Sequence, residues 1–276
     1  MILPLMTSYL DPAEYGIAAM YQLFAVVFAL IIGFELTRYL DVFYFKVPKV
    51  EFEKYLSTIV STVTISSAVV FIVTFLVMQF VDVPGIDFVW IVTIPLIVLF
   101  KFVFTVNDCL LRNEENPVGY GKYTLADTVI YSLVALGLAY LYHDWTSKAY
   151  SFIASMLLLG TLSYFRLRRD YNLNFHINKD ILKGALLFST PFVFGLNLAN
   201  IIYANSDKII LLEFYDYNVV GIFAIALVFA SITGFVTDSF MKAWVPIFYK
   251  KLQLDDKNVD RQCVYIFFGL SIVSTL

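Results

Sequence analysis

Apolar runs of membrane-spanning length recur from one end of this chain to the other. Nothing else in it restricts the fold so tightly. The clear runs are residues 15–36, 55–80, 88–106, 125–142, 149–165, 184–205 and 219–240, and another begins near Val264. A bilayer core needs about twenty apolar residues per helix. Hydrocarbon offers no partner for backbone amides, so each run must bond internally as a helix. A β-barrel would need short alternating segments, and these runs do not alternate. Composition agrees: 60% of the residues are hydrophobic and 15% are charged, with a mean hydropathy of +0.79. A soluble domain sits nearer half apolar and a quarter charged. The expected fold class is therefore all-α, a polytopic transmembrane helix bundle.

The connectors set the orientation. Alternate connectors hold Arg38, Lys46, Lys49 and Lys54, then Lys101, Arg112 and Lys122. The next rich sets are Arg166, Arg168, Arg169, Lys179 and Lys183, then Lys242, Lys250, Lys251, Lys257 and Arg261. The other connectors hold only Lys148 and Lys208. The positive-inside rule puts the rich set in the cytoplasm. The run at 15–36 then enters from outside. Residues 1–8 have no basic, signal-like start and read as the last turns of a preceding helix. The expectation is a chain lacking most of a first helix and ending inside a ninth.

The chain also repeats itself. At an offset of 205 residues, Asp11 falls on Asp216, Gly16 on Gly221 and Ile17 on Ile222. Ala19, Phe24 and Ala25 fall on Ala224, Phe229 and Ala230, and Phe43, Tyr44 and Lys46 on Phe248, Tyr249 and Lys251. Both copies run from an outer Asp through a span to a basic inner loop. Parallel repeats related by an axis along the membrane normal are a transporter architecture, with the substrate path between them. The expected halves are 1–183, N-terminal, and 184–276, a partial C-terminal half with helices seven to nine.

Several function classes fall away. A net charge of −3 gives no general affinity for nucleic acid. Cys109 and Cys263 form no metal spacing, and His143 and His176 lie in loops on opposite faces, so no metal site is expected. There is no GxxxxGK[ST] phosphate loop. The chain reads as a non-enzyme without a cofactor.

An ionisable group inside a bilayer costs about 2.5–3.5 kcal/mol on insertion scales, so each needs a reason. Glu35 and Arg38 lie three apart near the inner end of the first span. They read as an interfacial pair, or as a cavity site in which Arg38 meets phosphate and Glu35 tunes it. Arginine suits phosphate because its planar fork bonds two oxygens at once. Asn197 and Asn200, also three apart, share a face of the Pro191-containing run, with Asp207 and Lys208 further on. They line a water-filled path or bond neighbouring helices. Asp238 and Asp127 are the candidate ion-coupling carboxylates, with capping and interfacial roles as the alternatives. Lys101 reads as a lysine snorkelling to the cytoplasmic headgroups. The hydroxyls of "STIVSTVTISS" read as bonding the helical turn behind them.

Three stretches resemble one family. "LPLMTSYLDPAEYGIAAMY" resembles the end of the first helix and start of the second in bacterial polysaccharide flippases. "NIIYANSDKIILLEFYDYNVVGIFAIA" resembles their seventh-to-eighth helix region, and "FMKAWVPIFYK" the cytoplasmic end of their eighth helix. Phe223 departs from the pattern, which often has Tyr there. This is the polysaccharide branch of the multidrug/oligosaccharidyl-lipid/polysaccharide exporter superfamily. The resemblance implies a multi-pass protein of the bacterial plasma (inner) membrane. It implies a flippase for undecaprenyl-diphosphate-linked oligosaccharide units such as O-antigen precursors, working by alternating access. It further implies H+ or Na+ coupling, contact with membrane lipids, and other polysaccharide-assembly membrane proteins as partners. The alternatives are a drug or small-molecule exporter of the same superfamily, or a membrane-embedded polymerase or acyltransferase. The short outer loops, with two basic residues between them, count against the last two.

Overall fold

The computed structural model describes residues 6–231, together with Gly234, Trp244 and Val245. Among them there is no strand. The helices are α1 (Pro12–Gly33), α2 (Leu36–Tyr44), α3 (Lys49–Val77), α4 (Phe88–Asn113), α5 (Pro117–Tyr142) and α6 (Thr146–Tyr171). They continue with α7 (Lys179–Phe214) and α8 (Tyr217–Ser231). All but α2 and α8 are long and apolar enough to cross a membrane. The remainder of the run at 219–240 and the expected ninth helix lie outside the described residues.

Local chemistry places the helix ends. Pro12 starts α1, where its missing N–H costs nothing, and Glu14 sits in the first turn against the helix dipole. Asn116 caps α5 by accepting from Gly119 N at 2.8 Å, and Asn178 caps α7 by accepting from Asp180 N and Ile181 N. α5 and α6 end on His143 and Asn172, both left-handed.

The sequence expectation ran one helix from residue 15 to 36. The structure ends it at Gly33, because Phe34 (φ 43°) and Glu35 (φ 54°) are both left-handed and turn the chain. A short helix, α2, follows, burying Leu36, Tyr39 and Leu40. Glu35 and Arg38 therefore sit at a corner below the span. Tyr39 lies tilted against Phe43, with centroids 4.1 Å apart, stacks with Tyr55 and meets Phe188 edge-on. Burial pushes the Tyr39 phenol up to about 12, so it stays neutral.

α4 is the hub. It packs against α1, α2, α3, α5 and α6, and more of it is buried than of any other span described. Ser67 of α3 donates to the carbonyl of Pro95 in α4 at 2.8 Å. α7 leans on α2 and α3 with its first half and on α1 with its second. Its middle, Val193–Asn197, widens into a π turn just after Pro191.

The described residues up to Ile222 belong to one compact unit, and those from Phe223 on to a second. Within the first, the two copies of the repeat meet at their starts. A methyl group at Gly16 would land on the carbonyl oxygen of Tyr217, and one at Gly221 on that of Pro12. Residues 12 and 217 are 205 apart, as are 16 and 221, so the two close approaches are equivalent under the repeat.

Candidate functional site

A cavity of about 250 Å³ opens between α1, the Phe34–Glu35 corner, α4 and α7. Its polar lining is Glu35, Thr37, Lys101, Thr105 and Asn197, and its apolar lining includes Leu30, Phe102 and Ile201. Of the expected site residues, this brings Glu35 and Asn197 together across α1 and α7. Each is there for a local reason. The left-handed corner turns Glu35 out of the helix, and Asn197, the last residue of the π turn, donates its Nδ2 to the Phe192 carbonyl at 3.3 Å.

Arg38 is not part of the cavity lining but is tied to Glu35, which is. Its Nε donates to Glu35 Oε2 at 2.8 Å, and its guanidinium lies 5.4 Å from the centre of the Phe192 ring. The Ser189 hydroxyl donates to the Glu35 carbonyl at 3.3 Å, fixing the corner to α7. The two therefore form a local ion pair of which Glu35 alone lines the cavity. The other expected residues of α7 lie elsewhere. Asn200 and Asp207 are exposed. Lys208 is half-buried and donates to Asn205 Oδ1 at 3.0 Å. Asn197 and Asn200 therefore differ in burial despite their spacing.

Asp127 is no cap. It lies more than two turns inside α5, with Oδ1 buried and without a hydrogen-bond partner. Lys101 does not snorkel to the cytoplasmic surface as expected. Its Nζ lies 5.7 Å from the centre of the Phe152 ring, inside the bundle. Helical Cβ atoms lean toward the helix N-terminus, which carries this side chain back toward the outer end. Asp238 lies outside the described residues.

A second polar cluster escaped the sequence reading. Arg166 of α6 donates to Asn107 Oδ1 at 2.7 Å and to Glu114 Oε2 at 2.5 Å, and pairs with Asp170 at 3.3 Å. Tyr171 donates to Glu114 Oε1, and Lys49 lies over the Tyr171 ring. Arg166, Lys49, Glu114 and Asp170 line a pocket of about 450 Å³. Asn107 is fully buried. The signal available was weak: Asn107 falls just past the end of the apolar run at 88–106, still inside α4. Its partner lies 59 residues away, beyond the reach of a pattern on one helix.

The hydroxyls of α3 divide their work. Thr62 and Thr64 bond the turn behind, at Thr58 O and Val60 O. Ser57, Thr58 and Ser61 instead accept the backbone N–H groups of Asn174, Asn178 and His176 at 3.1–3.3 Å. The connector between α6 and α7 is strapped along α3. Among the described residues no cluster of His, Cys, Asp or Glu could hold a metal ion.

Six spanning helices, a polar cavity among them and the basic connectors define a multi-pass membrane protein. The chain matches the family described as "Polysaccharide biosynthesis protein" over residues 1–251, and it belongs to that family. No curated protein and no solved structure matches it.

Proposed function

We propose that the protein is a transporter of the bacterial plasma membrane. It flips undecaprenyl-diphosphate-linked oligosaccharide units from the cytoplasmic to the outer face for polysaccharide assembly. The observation that carries this reading is the cavity between α1, α4 and α7, where a lysine, a carboxylate and an amide face one another inside the bundle. Such groups are costly in hydrocarbon and mark a hydrated path for a polar cargo. The headgroup would pass through this cavity while the lipid tail stays in the bilayer. Arg38 would meet the diphosphate at the cytoplasmic end, with Glu35 and Asn197 within and Asn200, Asp207 and Lys208 along the rest of α7. The two halves, 1–183 and 184–276, related by an axis along the membrane normal, would rock against each other to open the path to one face and then the other. The equivalent close approaches at Gly16 and Gly221 support that symmetry. Coupling to a proton or sodium gradient would use Asp127 or Asp238.

Expression in a cell lacking its own polysaccharide flippase tests the reading. The protein should restore surface polysaccharide, and Arg38→Ala should abolish the restoration. Normal complementation by Arg38→Ala would remove Arg38 from the site. Failure of the protein itself to complement, when inserted at normal levels, would reject the flippase reading.

A further inference from the structure

The inner ends of α2, α3, α4 and α6 enclose the pocket of about 450 Å³, which shares no lining residue with the cavity between α1, α4 and α7. Its polar groups can be followed atom by atom. All three nitrogens of the Arg166 guanidinium are engaged: Nε by Asp170, one terminal nitrogen by Asn107 and the other by Glu114. All four carboxylate oxygens are engaged as well. Glu114 accepts from Tyr171 and Arg166, and Asp170 from Arg169 and Arg166. What remains is donors. Lys49 forms no ion pair among the described residues, and its ammonium lies 5.1 Å from the centre of the Tyr171 ring. The Nδ2 of Asn107, fully buried, has no hydrogen-bond partner. Three cations, Lys49, Arg166 and Arg169, stand against two carboxylates, which leaves one positive charge uncompensated.

We propose that this pocket binds a phosphodiester monoanion, with Lys49 as its cation. The unspent groups are donors, so the ligand must accept. One spare positive charge matches one negative charge. A diphosphate would bring excess charge up against Glu114 and Asp170. Depth narrows the source. Lys49 opens α3, Glu114 closes α4 and Asp170 lies in the last turn of α6, so the pocket sits where the helices leave the hydrocarbon. Tyr44, Phe52 and Tyr171 wall it, and aromatic rings gather at that level of a membrane. The phosphodiester at hand there is the headgroup of an inner-leaflet phospholipid such as phosphatidylglycerol. A soluble phosphodiester carries the same group and is the other source. Bound in the pocket, the anion ties the start of α3 to the Arg166 cluster of α4 and α6. The site is separate from the cavity and does not depend on what that cavity carries.

The test uses the full chain in neutral detergent, with native mass spectrometry reading the lipids bound. Wild type should bind phosphatidylglycerol about tenfold more tightly than phosphatidylcholine, whose choline cancels the charge of the same phosphodiester. Lys49→Gln should lose that preference, and Lys49→Arg should keep it. Lys54→Gln, on the same helix but outside the pocket, should leave it unchanged. Melting gives a second readout. Phosphatidylglycerol should raise the Tm of wild type and Lys49→Arg more than that of Lys49→Gln, because a ligand of the native state stabilises it by mass action. The deacylated headgroup, glycerophosphoglycerol, separates the two sources. If an excess of it leaves phosphatidylglycerol bound, the ligand is the lipid. If it displaces the lipid at equal concentration, the ligand is a soluble phosphodiester. No preference for phosphatidylglycerol in wild type, or an unchanged preference in Lys49→Gln, would overturn the proposal. So would an equal loss in Lys54→Gln, which would mark diffuse attraction to surface lysines.

Discussion

Gly16 and Gly221 are repeat partners that each press against the other's helix. The Tyr217 carbonyl occupies the space of a Gly16 side chain, and the Pro12 carbonyl that of a Gly221 side chain. The outer ends of α1 and α8 therefore meet backbone to backbone. Gly16→Ala and Gly221→Ala should each force the helices apart and lower stability by about 1–3 kcal/mol, as overpacking does. The double variant should cost less than the sum, because one separation relieves both clashes. Gly137→Ala is the control: it faces open space and sits mid-helix, so it should be neutral or stabilising by up to about 1 kcal/mol. Thermal melting in detergent would decide. An additive double variant would show that the two contacts are independent.

Arg166 joins the inner ends of α4 and α6. Its side chain is 13% exposed and that of Glu114 is 22%. Arg166→Ala strands Glu114 and Asn107 together, at a cost of about 3 kcal/mol, the lower end for breaking a buried pair. Arg166→Lys should recover less than half, since one ammonium cannot reach Asn107, Glu114 and Asp170 with the geometry of a fork. Glu114→Gln should cost less than Arg166→Ala. Melting temperatures ranked otherwise would show that the cluster is not organised by the arginine.

The strap between α6 and α7 predicts a pattern of amide protection. Ser57→Ala, Thr58→Ala and Ser61→Ala each remove an acceptor for one connector N–H, worth about 1 kcal/mol. Hydrogen exchange at Asn174, Asn178 and His176 should accelerate about fivefold in the matching variant. Thr62→Ala, whose hydroxyl bonds its own helix, should leave all three amides unchanged. Acceleration in Thr62→Ala would mean that α3 as a whole, and not its individual hydroxyls, holds the connector.

Much of this fold was legible because lipid forces a simple code. Apolar runs had to be helices, and the basic connectors ordered them. What the runs hid was their ends. Phe34 and Glu35 read as helix because neither is a glycine or proline, yet both are left-handed, and α2 follows from that corner. The site was half legible. Glu35 and Asn197 are polar groups in apolar runs, so hydropathy alone flags them. Lys101 was flagged by the same rule but assigned to the headgroups, because the direction of a side chain depends on neighbouring helices. Arg166 was hidden among the basic residues that set topology, and only its packing against Asn107 distinguishes it.

Repeat-equivalent Asp11 and Asp216 differ in their cap bonds. Asp216 Oδ1 accepts the backbone N–H of Val219 at 3.1 Å, whereas Asp11 makes no side-chain cap bond to α1. The Val219 and Asn218 donors hold the Asp216 carboxyl below its ordinary 3.8. A depressed carboxylate contributes stability that is fully present above its unfolded value and is lost as pH falls through its folded one. The start of α8 should therefore loosen on acidification below about 3.8. Asp216→Asn keeps an acceptor but cannot titrate, so that variant should lose this acid limb. Asp11→Asn should keep it, because Asp216 still titrates. Exchange of the Val219 amide against pH reads the effect directly. An unchanged acid limb in Asp216→Asn would place the titration on another group.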